Sequence, residues 1–295
     1  MIGIIRTQSL WASEFLSVND KTEFSFGFNA ISKVAFARVV AKIPSDKFKP
    51  GALDGVADAM AEAILEGFRR HVEANDGYTA LYITSFAKGK TQNEDEQGVL
   101  TLWDRYTQNV GYCLQFHEQD VAALVRSERN RFPYELIEFS AVNYGIDENS
   151  PEFLRLVERL ELDLMQQVMG AGHDFGWNLD LQSAILDSRW KLDMMRFCAT
   201  HKDPSFVDER ELRILAFPAK KAQAGFLSGG IFQKKIHRVL NKPYGNRYIA
   251  LGESVTPSVV PSRLIIGPKA DQDTQFLASF YLRCPAISKS NIPIR

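Results

Sequence analysis

Glu209-Arg210-Glu211-Leu212-Arg213-Ile214-Leu215-Ala216-Phe217 is the stretch on which the fold turns. Charges stand directly ahead of an apolar run. In a strand, side chains alternate between faces, so Glu209, Glu211 and Arg213 would project to one side while Leu212 and Ile214 face the other. Three charges on one strand face read either as a solvated edge or as a concave site in which an arginine orients two acids.

The chain around this strand alternates in character. Downstream, the chain is strand-rich, with strands expected over Ile231–Leu240, Arg247–Leu251 and Leu264–Ile266, and a short helix is expected over Thr274–Tyr281. Upstream, Tyr78–Phe86, Gly111–Phe116 and Tyr134–Val142 read as strands in the same way, and residues 2–18 as short extended pieces. Helical spacing predicts helices over Ala30–Ile43 and over Leu53–Val72, the latter closed by the turn signal Asn75-Asp76-Gly77. Ser150-Pro151-Glu152 has the cap, first-turn proline and acid of a helix start. That helix is expected to run to Met169, break at Gly170-Ala171-Gly172, and be followed by a second over Asn178–Ala199. The expected architecture is therefore one α+β domain over 1–295, with an inserted helical hairpin at about 150–200.

Composition bounds the function. The chain has 295 residues, 45% of them hydrophobic, and a net charge of −1 from 35 basic and 36 acidic side chains. No basic excess points to nucleic acid. Cys113, Cys198 and Cys284 form no CxxC pair, which fits a reducing cytoplasm and disfavours a disulfide or zinc framework. The apolar runs are shorter than the ~18 residues of a membrane span, so a cytoplasmic protein without a membrane partner is expected.

Several catalytic signatures fail. Gly89-Lys90-Thr91 imitates the end of a phosphate loop, but the position that needs the earlier glycine is Thr84. There is no GxGxxG after a strand, no GxSxG elbow and no HExxH, so no metal is expected. Four clusters remain. The first is Asn19-Asp20-Lys21-Thr22-Glu23, also readable as a turn and helix cap. The second is Ser85-Phe86 with Trp103 and Tyr106, which would share a helix face and either pack in the core or stack on a flat ring. The third is Lys202 through Arg213, and the fourth is the closing Ser290-Asn291-Ile292-Pro293-Ile294-Arg295.

Taken in order, these clusters resemble the bacterial domain-of-unknown-function family 2971. The resemblance rests on Leu10-Trp11-Ala12-Ser13 with Asn19, Asp20 and Glu23; on Ser85-Phe86, Trp103, Tyr106, Gly111 and Cys113; on Lys202, Phe206, Glu209, Glu211 and Arg213; and on Leu264-Ile265-Ile266-Gly267-Pro268 with the closing segment. Many relatives begin with a His-Tyr-Thr-like strand about ten residues ahead of the leading motif, whereas the first histidine here is His71. A late-assigned start or a lost motif would explain the difference.

A looser analogy, from motif order, is to ADP-ribosyltransferases. It implies a mainly antiparallel split sheet with flanking helices, and NAD as the cofactor or substrate. Breaking a nicotinamide–ribose bond develops positive charge on the sugar, which a carboxylate stabilises. The analogy gives that role to Glu211, acceptor positioning to Glu209, and stacking on nicotinamide to Trp103 or Tyr106. Asn19, Asp20, Glu23, Ser85, Lys202 and Arg213 would complete the binding site. Two functions are expected to compete: an NAD-using ADP-ribosyltransferase or NAD glycohydrolase acting as a toxin or phage-defence effector, and a non-catalytic module that senses a nucleotide or a nucleic-acid end. The acceptor, nucleic acid or protein, is left open.

Overall fold

The computed structural model describes residues 8–17, 21–42, 66–67, 70, 72, 74–107, 109–170, 190–219, 232–239, 247–256, 260–271 and 286–292. Most of the helix expected at Leu53–Val72, the first half of that at Asn178–Ala199, and the helix at Thr274–Tyr281 lie outside these residues, as do Asn19 and Asp20. The strands, in chain order, are β1 (Leu10–Glu14), β2 (Tyr82–Ala87), β3 (Tyr112–Gln115), β4 (Tyr134–Ala141), β5 (Asn143–Tyr144), β6 (His201–Lys202), β7 (Glu211–Pro218), β8 (Ile236–Arg238), β9 (Arg247–Leu251), β10 (Arg263–Ile266) and β11 (Ile287–Lys289). The fold is α+β, with a mainly antiparallel six-stranded sheet and flanking helices.

The chain divides into two compact units. One comprises residues 1–13, 82–141 and 206–295, and the other 14–81 and 142–205. The first unit holds the six-stranded sheet, in the order β4-β7-β2-β1-β9-β8, and the three-stranded sheet β11-β10-β3. β7 pairs antiparallel with both β4 and β2. Its central position explains its composition: Ile214, Leu215 and Ala216 are fully buried, and only Leu212 along the strand is less than buried. The register sets Arg213 opposite Ser85 on β2 and Ser140 on β4, with Glu211 opposite Ala87. Phe86 meets Phe139 and Phe116 edge to face at 5.8 and 6.0 Å, a favoured geometry for aromatic pairs.

In the second unit, the Lys21–Lys42 helix packs against the Pro151–Gly170 and Trp190–Thr200 helices. It begins nine residues ahead of the expected Ala30. Its buried residues Phe24, Phe28, Ile31, Ala35 and Val39 recur at three- and four-residue steps and form one face. Other apolar residues spread around the helix and blur that periodicity, and Glu23–Lys42 is long and apolar enough, by length and composition, to cross a membrane. Gly27 permits close helix approach: a Cβ there would lie 3.0 Å from the Cys198 Cα. The helices expected as an insertion at 150–200 thus belong to a unit that also takes in residues 14–81.

Further local readings differ from the structure, among them the expected strand Ile231–Leu240, of which β8 takes only Ile236–Arg238. β2 starts at Tyr82 rather than Tyr78, because Asp76 and Gly77 adopt left-handed φ values of 53° and 85° and extend the turn that Val72 accepts through its carbonyl. The helix over Glu118–Arg131 has a weak sequence signal, since its buried face, Val121, Leu124, Val125 and Glu128, includes an acid.

Candidate functional site

The Glu209–Arg213 run is not a continuous strand. Pro204–Glu209 forms a 3-10 helix, opened by the Asp203 carboxylate accepting the Ser205 N–H at 2.8 Å. Arg210 then adopts φ +45°, and β7 starts at Glu211. The left-handed residue resets the alternation, so Glu209 does not share a strand face with Glu211 and Arg213. Such a conformation costs a non-glycine residue roughly 1–2 kcal/mol. It is held by backbone bonds from the Arg210 N–H to Val207 and from the Lys88 N–H to the Arg210 carbonyl, at 3.2 and 3.0 Å.

The result is three consecutive charges engaged by three different elements. Glu209, buried, takes the Arg105 guanidinium and, at 3.2 Å, the Tyr106 hydroxyl, both from the Leu100–Thr107 helix. Arg210 makes a two-pronged contact to Glu94 at 2.7 and 2.9 Å. Glu211 receives Arg213 Nε and Nη2 at 2.7 and 2.9 Å. Paired N–H donors of this geometry are the strongest carboxylate contacts side chains make. Arg213 is only 2% exposed and Glu211 7%, so the solvated-edge reading fails for this pair.

Glu94 sits in the Gln92–Gln97 helix, capped by Thr91, whose hydroxyl accepts the Glu94 N–H while the Glu94 carboxylate accepts the Lys90 N–H. Its Arg210 partner, helped by the Lys90 N–H, lowers the Glu94 pKa to about 2. The Thr91-x-x-Glu94 spacing is a capping signature readable in the sequence; the choice of Arg210 as partner, 116 residues away, is not.

The aromatic pair divides. Trp103 is 3% exposed and its indole N–H donates to the Gln97 carbonyl at 2.9 Å, so it packs in the core and offers no ring face for stacking. Tyr106 is 66% exposed, and beside it Arg105 lies over the Phe206 ring at 5.5 Å. Ser85 is exposed on β2, opposite Arg213. Glu23 and Lys202 pair with each other at 2.7 Å, both buried, in the second unit. The structure therefore brings together Ser85 with Arg213 and Glu211, and Tyr106 with Glu209, and separately Glu23 with Lys202. Of the closing segment, Ser290 is buried and donates its N–H to Ile266, and the Asn291 N–H reaches the Gln97 side chain at 2.6 Å.

A second charged cluster had no sequence signal. Glu128 is fully buried and accepts Lys234 Nζ at 2.8 and 2.9 Å, the Gly252 N–H at 2.7 Å and the Tyr134 hydroxyl at 2.7 Å. Lys234 also donates to the Ala250 carbonyl at 2.7 Å and lies over Phe132 at 4.3 Å. Burial lowers the Lys234 pKa against the pull of Glu128, and burial first, then Glu128, raises that of Tyr134. Among the described residues no group of three His, Cys, Asp or Glu side chains is arranged to hold a metal.

No family model matches the chain, and neither the search of curated proteins nor that of solved structures finds a match.

Proposed function

We propose that the chain is a binding module for a nucleotide-like ligand, recognised at the Arg105–Tyr106–Glu209 corner without chemistry. One observation carries this reading: a Tyr106 side chain that is 66% exposed and tethered through its hydroxyl to Glu209 stands next to a half-exposed guanidinium. A flat base stacks on such a ring, and a guanidinium beside it attracts the attached phosphate. The acids that a ribosyl-transfer reaction would use are meanwhile engaged: Glu211 by Arg213 and Glu209 by Arg105.

Isothermal titration of the full chain with ATP and with NAD tests the proposal. Saturable binding should weaken about five-fold or more in Tyr106→Ala, since base–aromatic stacking contributes about 1–3 kcal/mol. Unchanged affinity in that variant, or no saturable binding of either nucleotide, would refute it.

The ADP-ribosyl reading remains the second proposal, and the mainly antiparallel α+β sheet without a dinucleotide loop is what favours it. It requires Glu211 to leave Arg213 and face a ribose, the role that the looser analogy to the transferases gives it.

A further inference from the structure

The first unit carries a hollow of about 370 Å³ that the preceding reading does not use. Ser127, Asn130 and Arg131 line it from the last turn of the Glu118–Arg131 helix, Phe232 from the segment ahead of β8, and Ser254 and Thr256 from the turn after β9. The three helix residues stand at i, i+3 and i+4, so they share one face. Gly252 and Ser254, with φ of 96° and 66°, bend the turn toward that face, and the Ser127 hydroxyl fastens it by donating to the Thr256 carbonyl at 3.2 Å.

The chemistry of the lining is one-sided. The Arg131 guanidinium lies 4.4 Å from the Phe232 ring centroid, which orients it, and among the described residues no carboxylate comes within ion-pair reach of it. Asn130, Ser254 and Thr256 add an amide and two hydroxyls, and none of the lining residues is acidic. The two acids adjacent in sequence are turned elsewhere. Glu128 is saturated by Lys234, Gly252 and Tyr134, and Glu253 lies 3.4 Å from His237 Nε2. The helix C-terminus opposes an anion with about half a charge, which the full charge of Arg131 exceeds. Guanidinium with neighbouring hydroxyl and amide donors is the donor set that phosphate takes.

We propose that this hollow binds the phosphate group of a small phosphomonoester, with Arg131 as the principal donor. It is a site separate in composition from the Arg105–Tyr106–Glu209 corner and stands or falls independently of it.

The test is calorimetric titration of the full chain with phenyl phosphate, inorganic phosphate and phenol, in wild type, Arg131→Gln and Arg105→Gln. Glutamine keeps a stem over Phe232 and removes the charge, and Arg131 is exposed, so the variant folds; its melting temperature is recorded beside the titration. The expected result is saturable binding of phenyl phosphate, weakened ten-fold or more in Arg131→Gln, unchanged in Arg105→Gln, and absent for phenol. Inorganic phosphate binding as tightly as phenyl phosphate would assign the site to the free anion and keep the role of Arg131. Binding that survives Arg131→Gln, or that Arg105→Gln abolishes, or that phenol matches, overturns the proposal.

Discussion

At the scale of single residues, the behaviour of Glu211 and Arg213 follows from burial. Two charges taken out of water are tolerated because each satisfies the other with paired bonds, and removing one partner leaves the other uncompensated. Glu211→Gln is therefore expected to lower stability by about 3–5 kcal/mol, read from denaturant midpoints at constant m-value. A loss under about 1 kcal/mol, the range of exposed ion pairs, would contradict the buried pairing. Glu94 makes a different prediction. Its folded pKa, about 2, lies below the ordinary 4.5. A depressed carboxyl pKa contributes stability that is fully present above the unfolded value and is lost as pH falls through the folded one. The melting temperature of Glu94→Gln should thus lie below that of wild type at pH 7, with the gap closing between about pH 4.5 and pH 2. A gap that stays constant across that range would show that Arg210 does not hold the carboxylate.

At the scale of elements, Glu128 ties the Glu118–Arg131 helix to β4 through Tyr134, to the segment ahead of β8 through Lys234, and to the turn after β9 through Gly252. Glu128→Gln should cost about 3–5 kcal/mol, whereas Glu128→Leu combined with Lys234→Met should recover much of that loss by removing both charges. Calorimetric melting of the two variants checks this; a double variant less stable than the single one would mean that the hydrogen bonds to Gly252 and Tyr134 dominate. This network also marks the limit of reading elements from sequence. β7 and β9 were readable because a central strand is one apolar run, and Pro151–Gly170 because it carries a start signal and an amphipathic pattern. The Glu118–Arg131 helix was not, because a buried glutamate interrupts its apolar face and its lysine partner stands 106 residues away. The position of Glu209 escapes the sequence for an equally local reason: alternation assumes an unbroken strand, and the left-handed Arg210 breaks it. Gly27 offers a further check on helix packing. Gly27→Val should separate the Lys21–Lys42 and Trp190–Thr200 helices and lower the melting temperature, by the 1–3 kcal/mol typical of overpacking; an unchanged melting temperature would exclude that close contact.

At the scale of the whole molecule, the clusters that the sequence strings together across nearly 300 residues distribute over two units, with Glu23 and Lys202 in one and the Glu209–Arg213 junction in the other. Within the junction, every acid proposed for catalysis is matched to a guanidinium, while the Tyr106 side chain is exposed. The proposed function is that such a junction binds a nucleotide and leaves it intact. Proton NMR of NAD with the full chain tests this most directly, because one spectrum reports both binding and cleavage. The adenine resonances are expected to broaden with wild type and sharpen again with Tyr106→Ala, with no free nicotinamide appearing. Steady release of nicotinamide by the wild-type chain would show the opposite.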